Sequence, residues 1–390
     1  MKKYFNKFAS RLLSLIALTS IMTAATSCEG VYDGEGDCDP KYYVRFVFDM
    51  NMEFADAFNE QVESVDLWIF DKSTGKLVSH VSDSGEALSK EGYKLPLNIT
   101  PGDYRIVAWC GLENNRHFKV NDNINQLTDA TVTMKREHGE NGATSSADLD
   151  VLFHGMIDIS VPTWEDIQGV MYNGVEMPQQ TERFGTQTVY EPVYEWNELK
   201  QQYDIVYTVS LIRDTNNIIL SLEHLSGTFN LDQICIDMVD NNGSMFHDNR
   251  LNESDENITF HPWRTKTGTL DQGDMSRGSD DIYGQDGKDN RYADFISAEI
   301  STGRMVTGHD KIIRIWYKDT GQTIFQFPVT KWATQLRSAH YATMDEQEYL
   351  DRENKFDLMV FLQDDGRGGW MAVDIVINGW HIIENGESNI

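Results

Sequence analysis

Cys28 is the residue with the clearest chemical role, because the segment before it has the order of an export signal. Four basic residues at positions 2, 3, 7 and 11 precede an apolar run over residues 12–22, and small residues at 23–27 lead to the cysteine. The apolar run is about half the roughly 20 residues of a membrane-spanning helix. This order is typical of a bacterial signal peptide. We predict that residues 1–27 are removed and that the Cys28 thiol is lipidated.

The alternative for Cys28 is an unmodified thiol. Bacterial lipidation signals usually have leucine three positions before the cysteine, and this chain has Ala25 there. An ordinary signal peptidase would then cut after Ala25 and leave Cys28 as a plain thiol. The departure from the usual pattern is small, so lipidation remains the prediction.

Three further cysteines are present, Cys38, Cys110 and Cys235. In an oxidising compartment, one disulfide and one buried thiol is the simplest arrangement of three. Cys38 comes just before the first strand pattern and Cys110 just after a later one, whereas Cys235 lies between two isoleucines, as a core residue does. Cys38 and Cys110 are therefore the candidate disulfide pair. Their spacing does not match a metal site built from paired cysteines.

The chain has no recognisable catalytic motif. The GxSxG, HExxH, GxxxxGK[ST] and complete GxGxxG patterns are all missing, and no two of the ten histidines are four residues apart. Pairs of carboxylates at glycosidase separations would arise in any fold from 62 acidic residues, so they indicate nothing by themselves. We predict a protein that is not an enzyme and that has no catalytic residue, no cofactor and no small-molecule substrate.

The acidic loop at residues 271–290 and the tryptophans are the remaining candidates for binding. The loop holds six aspartates and four glycines, which could bind calcium, but the EF-hand order and its closing glutamate are missing. A solvated surface loop is the favoured interpretation, with calcium as the alternative. Trp68, Trp109 and Trp316 lie in strand patterns and are predicted core residues. The tryptophans that could instead be exposed on a sugar-binding face are Trp164, Trp332 and Trp370.

Charge excludes two classes of partner. Without residues 1–27 the chain has 29 basic and 62 acidic residues, a formal charge of −33. A field of this sign repels nucleic acid and anionic lipid headgroups. The sequence therefore predicts neither nucleic-acid binding nor electrostatic docking on a membrane.

The elements that must position these residues are mostly short strands. Apolar residues alternate with polar ones at intervals of two in many segments, and only residues 344–354 have a clear helical pattern. The strand patterns lie at 42–48, 65–71, 77–81, 95–99, 104–109, 131–134, 203–212, 218–222, 234–239, 312–317, 324–327, 356–362 and 371–377. We predict an all-β protein with two tandem antiparallel β-sandwich domains and few short helices.

Domain boundaries follow from changes in composition. Residues 28–40 are rich in acidic residues and glycine and are predicted to be a flexible tether. The N-terminal sandwich is predicted at 41–162, an irregular linker or crossing segment at 163–200, and the C-terminal sandwich at 201–390.

Taken together, an ordered set of motifs resembles the FimB-type fimbrial anchor subunit family of the Bacteroidetes, which serves type V pili. The set begins with the Cys28 signal and tether and covers most of the mature chain. Its pieces are 43–46 (YVRF), 51–58 (NMEFADAF), 65–71 (VDLWIFD), 97–104 (LNITPGDY), 108–112 (AWCGL), 150–155 (DVLFHG), 211–218 (LIRDTNNI) and 377–380 (INGW).

The resemblance implies a non-enzymatic lipoprotein with two transthyretin-like sandwiches, held in the outer membrane by lipid on Cys28. Acidic residues directly after the lipidated cysteine also resemble the signal that directs lipoproteins of these bacteria to the cell surface. The implied partners are basal or stalk fimbrial subunits, joined by an extended strand that one subunit donates to another. Residues 42–48 and 371–377 are our hypotheses for the accepting strand.

Two other classes of function fit parts of the sequence. A surface glycan-binding or adhesin lipoprotein would share the tether and sandwiches and would show exposed, coplanar aromatic residues. A secreted hydrolase would need a cleft with paired carboxylates, and the sequence identifies no such pair.

Overall fold

The computed structural model describes residues 42–163, 180–184, 187–198, 202–224, 231–271, 292–335, 341–364, 370–377 and 380–382. Strands dominate the described residues, with three short α-helices and three 3₁₀ turns, so the predicted all-β class is confirmed. No helix among the described residues is long and apolar enough to cross a membrane.

Every predicted strand pattern overlaps a described strand, and further strands form outside the patterns, the longest of them at Phe153–Val161 and Tyr292–Gly303. The strands are β1 (Tyr42–Val47), β2 (Ser64–Asp71), β3 (Leu77–Ser84), β4 (Leu95–Leu97), β5 (Gly102–Cys110), β6 (Phe118–Val120), β7 (Thr131–Met134), β8 (Glu137–Gly139), β9 (Gly142–Ser145), β10 (Phe153–Val161), β11 (Gln180–Phe184), β12 (Gln187–Tyr190), β13 (Val193–Asn197), β14 (Gln202–Ser210), β15 (Ile212–Arg213), β16 (Thr215–His224), β17 (Ile234–Asp240), β18 (Ser244–Phe246), β19 (Ile258–Phe260), β20 (Arg264–Asp271), β21 (Tyr292–Gly303), β22 (Ile312–Tyr317), β23 (Thr323–Pro328), β24 (Lys355–Asp364), β25 (Trp370–Ile377) and β26 (Trp380–Ile382). The helices are α1 (Phe58–Gln61), α2 (Val329–Gln335) and α3 (Glu346–Arg352), and the 3₁₀ turns are Gly85–Ala87, Leu127–Asp129 and Leu231–Gln233.

The first sandwich consists of sheets A and B. Sheet A has the order β11-β12-β14-β1-β4, with β13 also paired to β14, and sheet B has the order β15-β10-β5-β2-β3. Alternate residues of β1 are buried between the two sheets, as the period-two pattern predicts. The sheets approach closely at Gly155, where a Cβ atom would lie 2.4 Å from Cγ1 of Val209.

The second sandwich consists of sheets C and D. Sheet C has the order β20-β21-β16-β24-β25-β26, and sheet D has the order β23-β22-β17-β19-β9-β8. Alternate residues of β16, β24 and β22 fill the core between them, among them Leu220, Leu358 and Ile313, which are fully or almost fully buried. Helix α3 lies where the sequence predicts a helix. Asp345 caps it by accepting hydrogen bonds from the Gln347 and Glu348 amides.

A small sheet joins the two sandwiches. Sheet E has the order β18-β7-β6 and covers the outer face of sheet B. Trp68, Val107 and Trp109 on that face belong to the same buried cluster as the core of the second sandwich. The outer face of sheet B is therefore one wall of the second core, and the junction between the sandwiches is packed like a protein interior.

The strands do not follow the predicted domain boundaries. Strand β14 stands in the predicted C-terminal domain, yet it pairs in parallel with β1, where Tyr42 lies opposite Ile205 and Val47 opposite Ser210. Strands β11, β12 and β13, within the predicted linker, join sheet A. In the other direction, β7 and β9 pair with β18 and β19 of the second half. Each strand joins the sheet whose core matches its apolar face, wherever it stands in the chain.

Residues 213–217 are a polar stretch between the predicted strands at 203–212 and 218–222, as a tight turn would be. They form the crossing between the sandwiches instead, because β14, β15 and β16 follow one another through sheets A, B and C. Asp214, Thr215 and Asn216 are buried there. A polar turn pattern and a buried polar crossing have the same composition, so local sequence does not separate them.

Candidate functional site

The two predicted accepting strands are not open edges along their lengths. Strand β1 pairs with β14 on one side and with β4 on the other, and beyond β4 the Phe48 amide and carbonyl bond to Asp56 and Ala57. Strand β25 pairs with β24 on one side and, over Ile375–Ile377 only, with β26 on the other. Among the described residues, neither strand is therefore open along its whole second side, and the hypothesis that either one accepts the partner strand stays a prediction.

Strand β3 is an open edge of sheet B. It pairs with β2 on one side, where Val65 lies opposite Asp83 and Trp68 opposite His80. On the other side, the described residues pair only with its beginning, through the Lys76–Gln126 bridge and the Leu77 amide, which donates to the Asn125 carbonyl. The stretch from Val78 to Ser84 has no strand neighbour there among the described residues.

The hairpin that presents β3 is fixed by its turn. The Asp71 carboxylate accepts hydrogen bonds from Thr74 N, Thr74 Oγ1 and Ser73 Oγ at 2.7, 2.8 and 2.7 Å. These bonds stabilise the ionised carboxylate and lower the pKa of Asp71 to about 2. Gly75 follows with a φ of 69°, a left-handed conformation that glycine adopts without strain. The predicted strands at 65–71 and 77–81 are therefore joined as a hairpin.

An acidic rim surrounds the end of β3. Two adjoining clefts of about 430 and 390 Å³ lie beside Ser84 and share Glu113. The carboxylates on the rim that pair with no described lysine, arginine or histidine are Glu60, Glu63, Asp83, Glu86 and Glu113. The four glutamates are exposed and Asp83 is half-buried. Their unneutralised negative charge favours a cationic partner at this end of the edge.

The junction between the sandwiches holds a buried network of charged side chains. The Arg304 guanidinium donates to both oxygens of Asp351 at 2.9 and 2.8 Å, and it also donates to the Asn249 carbonyl at 2.8 Å. Asn249 in turn donates to Asp214 at 2.8 Å. The network ties the crossing residue Asp214 to two loops and helix α3 of the second sandwich.

Arg352 makes the direct connection to the first sandwich. It pairs with Glu348 one helical turn earlier and donates to the backbone carbonyls of Asp49 and Asn51 at 2.7 and 3.1 Å. Its guanidinium also lies 4.4 Å from the ring centre of Phe54. Phe54 itself has a φ of 54° and is 52% exposed.

Asp214 is the titratable member of the junction network. Its Oδ1 accepts from Asn249, whereas its Oδ2 has no hydrogen-bond partner among the described residues. Burial disfavours the charged carboxylate and raises the pKa of Asp214 to about 7, and the nearby Arg304 charge opposes the shift. The group is therefore protonated below neutral pH in the folded state.

We expect this carboxyl to make the protein less stable as pH rises. The unfolded chain loses the Asp214 proton near pH 4, and the folded protein keeps it until about pH 7. The folded state therefore binds more protons across this window, and stability present below pH 4 falls by on the order of 4 kcal/mol by pH 7. Urea unfolding of wild type and Asp214→Asn at several pH values measures the difference. A difference in stability between these two proteins that stays constant from pH 4 to pH 8 would contradict the prediction. Asp122→Asn, a substitution on the surface, is the control.

The family model described as fimbrillin-A associated anchor proteins Mfa1 and Mfa2 matches residues 35–386. The chain belongs to this fimbrial anchor family. The resemblance found in the sequence is thereby confirmed, and membership indicates a role as a fimbrial anchor or adhesin at the cell surface or envelope. The family is one of structural proteins and not of enzymes.

Solved structures of other proteins show a similar fold. The fimbrial anchor protein Mfa2 from Porphyromonas gingivalis is 17% identical, with a TM-score of 0.56 over 88% of this chain and 98% of that one. Two Bacteroides thetaiotaomicron proteins are 23% identical over 90% of this chain and 100% of theirs. They are a provisional adhesin with a TM-score of 0.66 and a provisional polysaccharide-binding protein with a TM-score of 0.62. The comparison with curated proteins finds no match.

The predicted site residues of this anchor-family chain have different outcomes. Cys28 and Cys38 lie outside the described residues, so lipidation and the disulfide stay predictions. Cys110 is fully buried in the core of the first sandwich and has no disulfide partner among the described residues. Residues 272–290 of the acidic loop also lie outside the description, and among the described residues no group of acidic, histidine or cysteine side chains could hold a metal ion.

The tryptophan predictions are partly confirmed. Trp68 and Trp109 are buried, as the strand pattern predicts, and Trp316 is half-buried. Trp332 is half-buried and stacks on Phe327 at 4.8 Å, so it does not form part of an exposed platform. Trp164 lies outside the described residues, as does the side chain of Trp370.

Proposed function

We propose that this chain is an outer-membrane lipoprotein that anchors a type V fimbria and limits its length. Lipid on Cys28 holds the protein at the cell surface, residues 28–40 act as the tether, and the folded sandwiches bind the basal subunit by strand complementation. The chain acts as a structural protein and needs no cofactor. The observation that carries the proposal is the family match, which begins just after Cys28 and extends through both sandwiches.

The physical chemistry of the N-terminal segment supports a lipid anchor. A single acyl chain binds a membrane weakly and reversibly, whereas two or more chains hold firmly. Bacterial lipoproteins usually have three chains on the cysteine. The strongly negative mature chain gains nothing from anionic headgroups, so covalent lipid would supply the membrane affinity.

The first sandwich supports the mechanical part of the proposal. Strand β1 directly follows the tether in the chain and pairs with β14 along its whole length and with β4 along half of it. A pull on the tether is therefore resisted by the hydrogen bonds of two ladders. The packed junction and the Arg352 bonds then connect β1 to the second sandwich.

Replacing Cys28 with alanine in the native organism tests the anchor. We expect fibres to be shed into the medium, and to be longer than in wild type, while synthesis of the fibre subunits is unchanged. Electron microscopy of cells and immunoblots of the medium measure both. Cys235→Ala, which changes a half-buried thiol elsewhere, is the control. Fibres that stay on the cells at normal length, in a strain that makes no second anchor, would contradict the proposal.

A further inference from the structure

We infer that the edge of β3 accepts the extended strand of the fimbrial partner, and that this strand carries lysine or arginine at the end beside Ser84. The inference rests on the proposed function and names the surface and the chemistry by which the partner is recognised. Three observations support it, namely the condition of the other sheet edges, the direction of the β3 backbone groups and the charge of the rim.

Most other edge strands in the described part of the chain are protected from pairing. Exposed strand edges attract other chains, and proteins blunt them with short strands, proline or charged side chains. The short edges have two or three residues, and they are β4, β6, β8, β15, β18 and β26. Strand β23 ends in Pro328, β11 contains Glu182 and Arg183, and β20 contains Arg264 and Lys266. Strand β3 has eight residues with no proline, lysine or arginine.

Alternate residues of β3 direct their backbone N–H and C=O groups away from β2, toward the open side of the edge. The Gly85 amide donates to the Glu63 carbonyl, so Gly85 and every second residue before it face β2. His80, Ser82 and Ser84 therefore direct their N–H and C=O groups to the open side. The Ser84 amide bonds to the Asp83 side chain, which leaves His80 and Ser82 as the free positions. Val78 to Ser84 spans about 23 Å, enough for a strand of ordinary length.

The acidic rim specifies what kind of strand fits. Its five carboxylates have no cationic partner among the described residues, and they cluster at the Ser84 end of the edge. Main-chain bonds supply affinity to any extended peptide, whereas opposite charge at the rim speeds association and selects the partner. A second copy of this chain would have the same acidic rim and the same negative net charge, so charge repulsion makes it a poor partner.

Two synthetic peptides test the surface on the purified mature protein. Both have ten residues of alternating threonine and valine, with blocked ends, and one has lysine at both ends where the other has glutamate. In low salt we expect wild type to bind the lysine peptide at least about tenfold more tightly than the glutamate peptide. Added salt should reduce this difference in affinity. Equal binding of the two peptides, or binding of neither, would overturn the inference, as would dimers of the protein that occlude the edge.

Substitutions separate backbone pairing from charge. Ser82→Pro removes the outward amide and should weaken both peptides about tenfold or more, whereas Ser82→Ala keeps the amide and should bind like wild type. The double variant Glu63→Lys with Glu86→Lys changes two exposed, unpaired carboxylates and should reverse the preference toward the glutamate peptide. If Ser82→Pro unfolds, the reversed peptide preference of the double variant is the deciding result. A double variant that still prefers the lysine peptide contradicts the inference.

The same variants in cells distinguish the two proposals. With Cys28 intact, Ser82→Pro should release fibres while the protein itself stays in the membrane fraction. If Ser82→Pro keeps its fibres and Cys28→Ala sheds them, the edge inference fails and the anchor proposal stands. If neither variant sheds fibres, the anchor proposal fails.

Discussion

Replacing Asp351 with alanine is expected to lower the free energy of unfolding by about 3–5 kcal/mol. The Asp351 side chain is completely buried and accepts hydrogen bonds from Nε and Nη2 of Arg304, whose side chain is 11% exposed. Removing the carboxylate leaves a buried guanidinium without its counter-charge, and Gln347 also loses an acceptor. Urea unfolding, followed by circular dichroism, measures the change.

Asp122 provides the matched control for Asp351. It pairs with Lys119 at 2.5 Å, but both side chains are more than half exposed. Asp122→Ala should change stability by less than about 1 kcal/mol, because water screens and replaces the interaction. The double variant Arg304→Met with Asp351→Leu should be more stable than Asp351→Ala alone, since no unpaired charge remains. A loss below about 1 kcal/mol for Asp351→Ala would show that Arg304 finds solvent or another acceptor.

Replacing Trp109 with alanine should lower the free energy of unfolding by a similar amount, about 3–5 kcal/mol. The side chain is completely buried between sheets B and E, with its ring 5.4 Å from Trp68 and 5.9 Å from His154. Truncation leaves a large cavity in the wall that the two sandwiches share. Because the core is continuous, we expect both sandwiches to unfold together at the lower denaturant concentration.

Two variants test the explanation for Trp109. Its indole N–H has no hydrogen-bond partner among the described residues, so Trp109→Phe should cost much less than the alanine change. Trp196, which is 43% exposed and contacts Tyr203, should tolerate alanine with a loss of about 1 kcal/mol. If only one sandwich unfolds early in Trp109→Ala, the junction is not a continuous core.

Local pattern was sufficient for the elements and the class. A strand needs alternating apolar residues, and a helix needs a cap and its own period, so β1, the β2–β3 hairpin and α3 could each be read from a few neighbouring residues. The family resemblance rested on the same short pieces taken in order. The Cys28 signal is equally local, because a peptidase reads the chain in an extended form.

The accepting edge and the domain boundaries needed the tertiary structure. Whether β1 or β3 is free depends on which strands lie beside it, and β14 reaches β1 from about 160 residues away in the chain. The sequence of β14 does not specify β1 as its partner, because any apolar strand can pair with any other through the same backbone hydrogen bonds. The open edge of β3 is likewise a property of the sheet and not of its own residues.

The sequence by itself therefore predicted the all-β class, the family and the strands with a clear period of two, and it also predicts the export signal. Tertiary structure decided which sheet each strand joins, which edge stays open and which charges are buried. Lys311 illustrates the reason. It is a lysine like any other in the sequence, yet it is completely buried and pairs with Asp240, 71 residues away, at 2.5 Å. Burial and pairing are relations between distant segments, and only the packed fold specifies them.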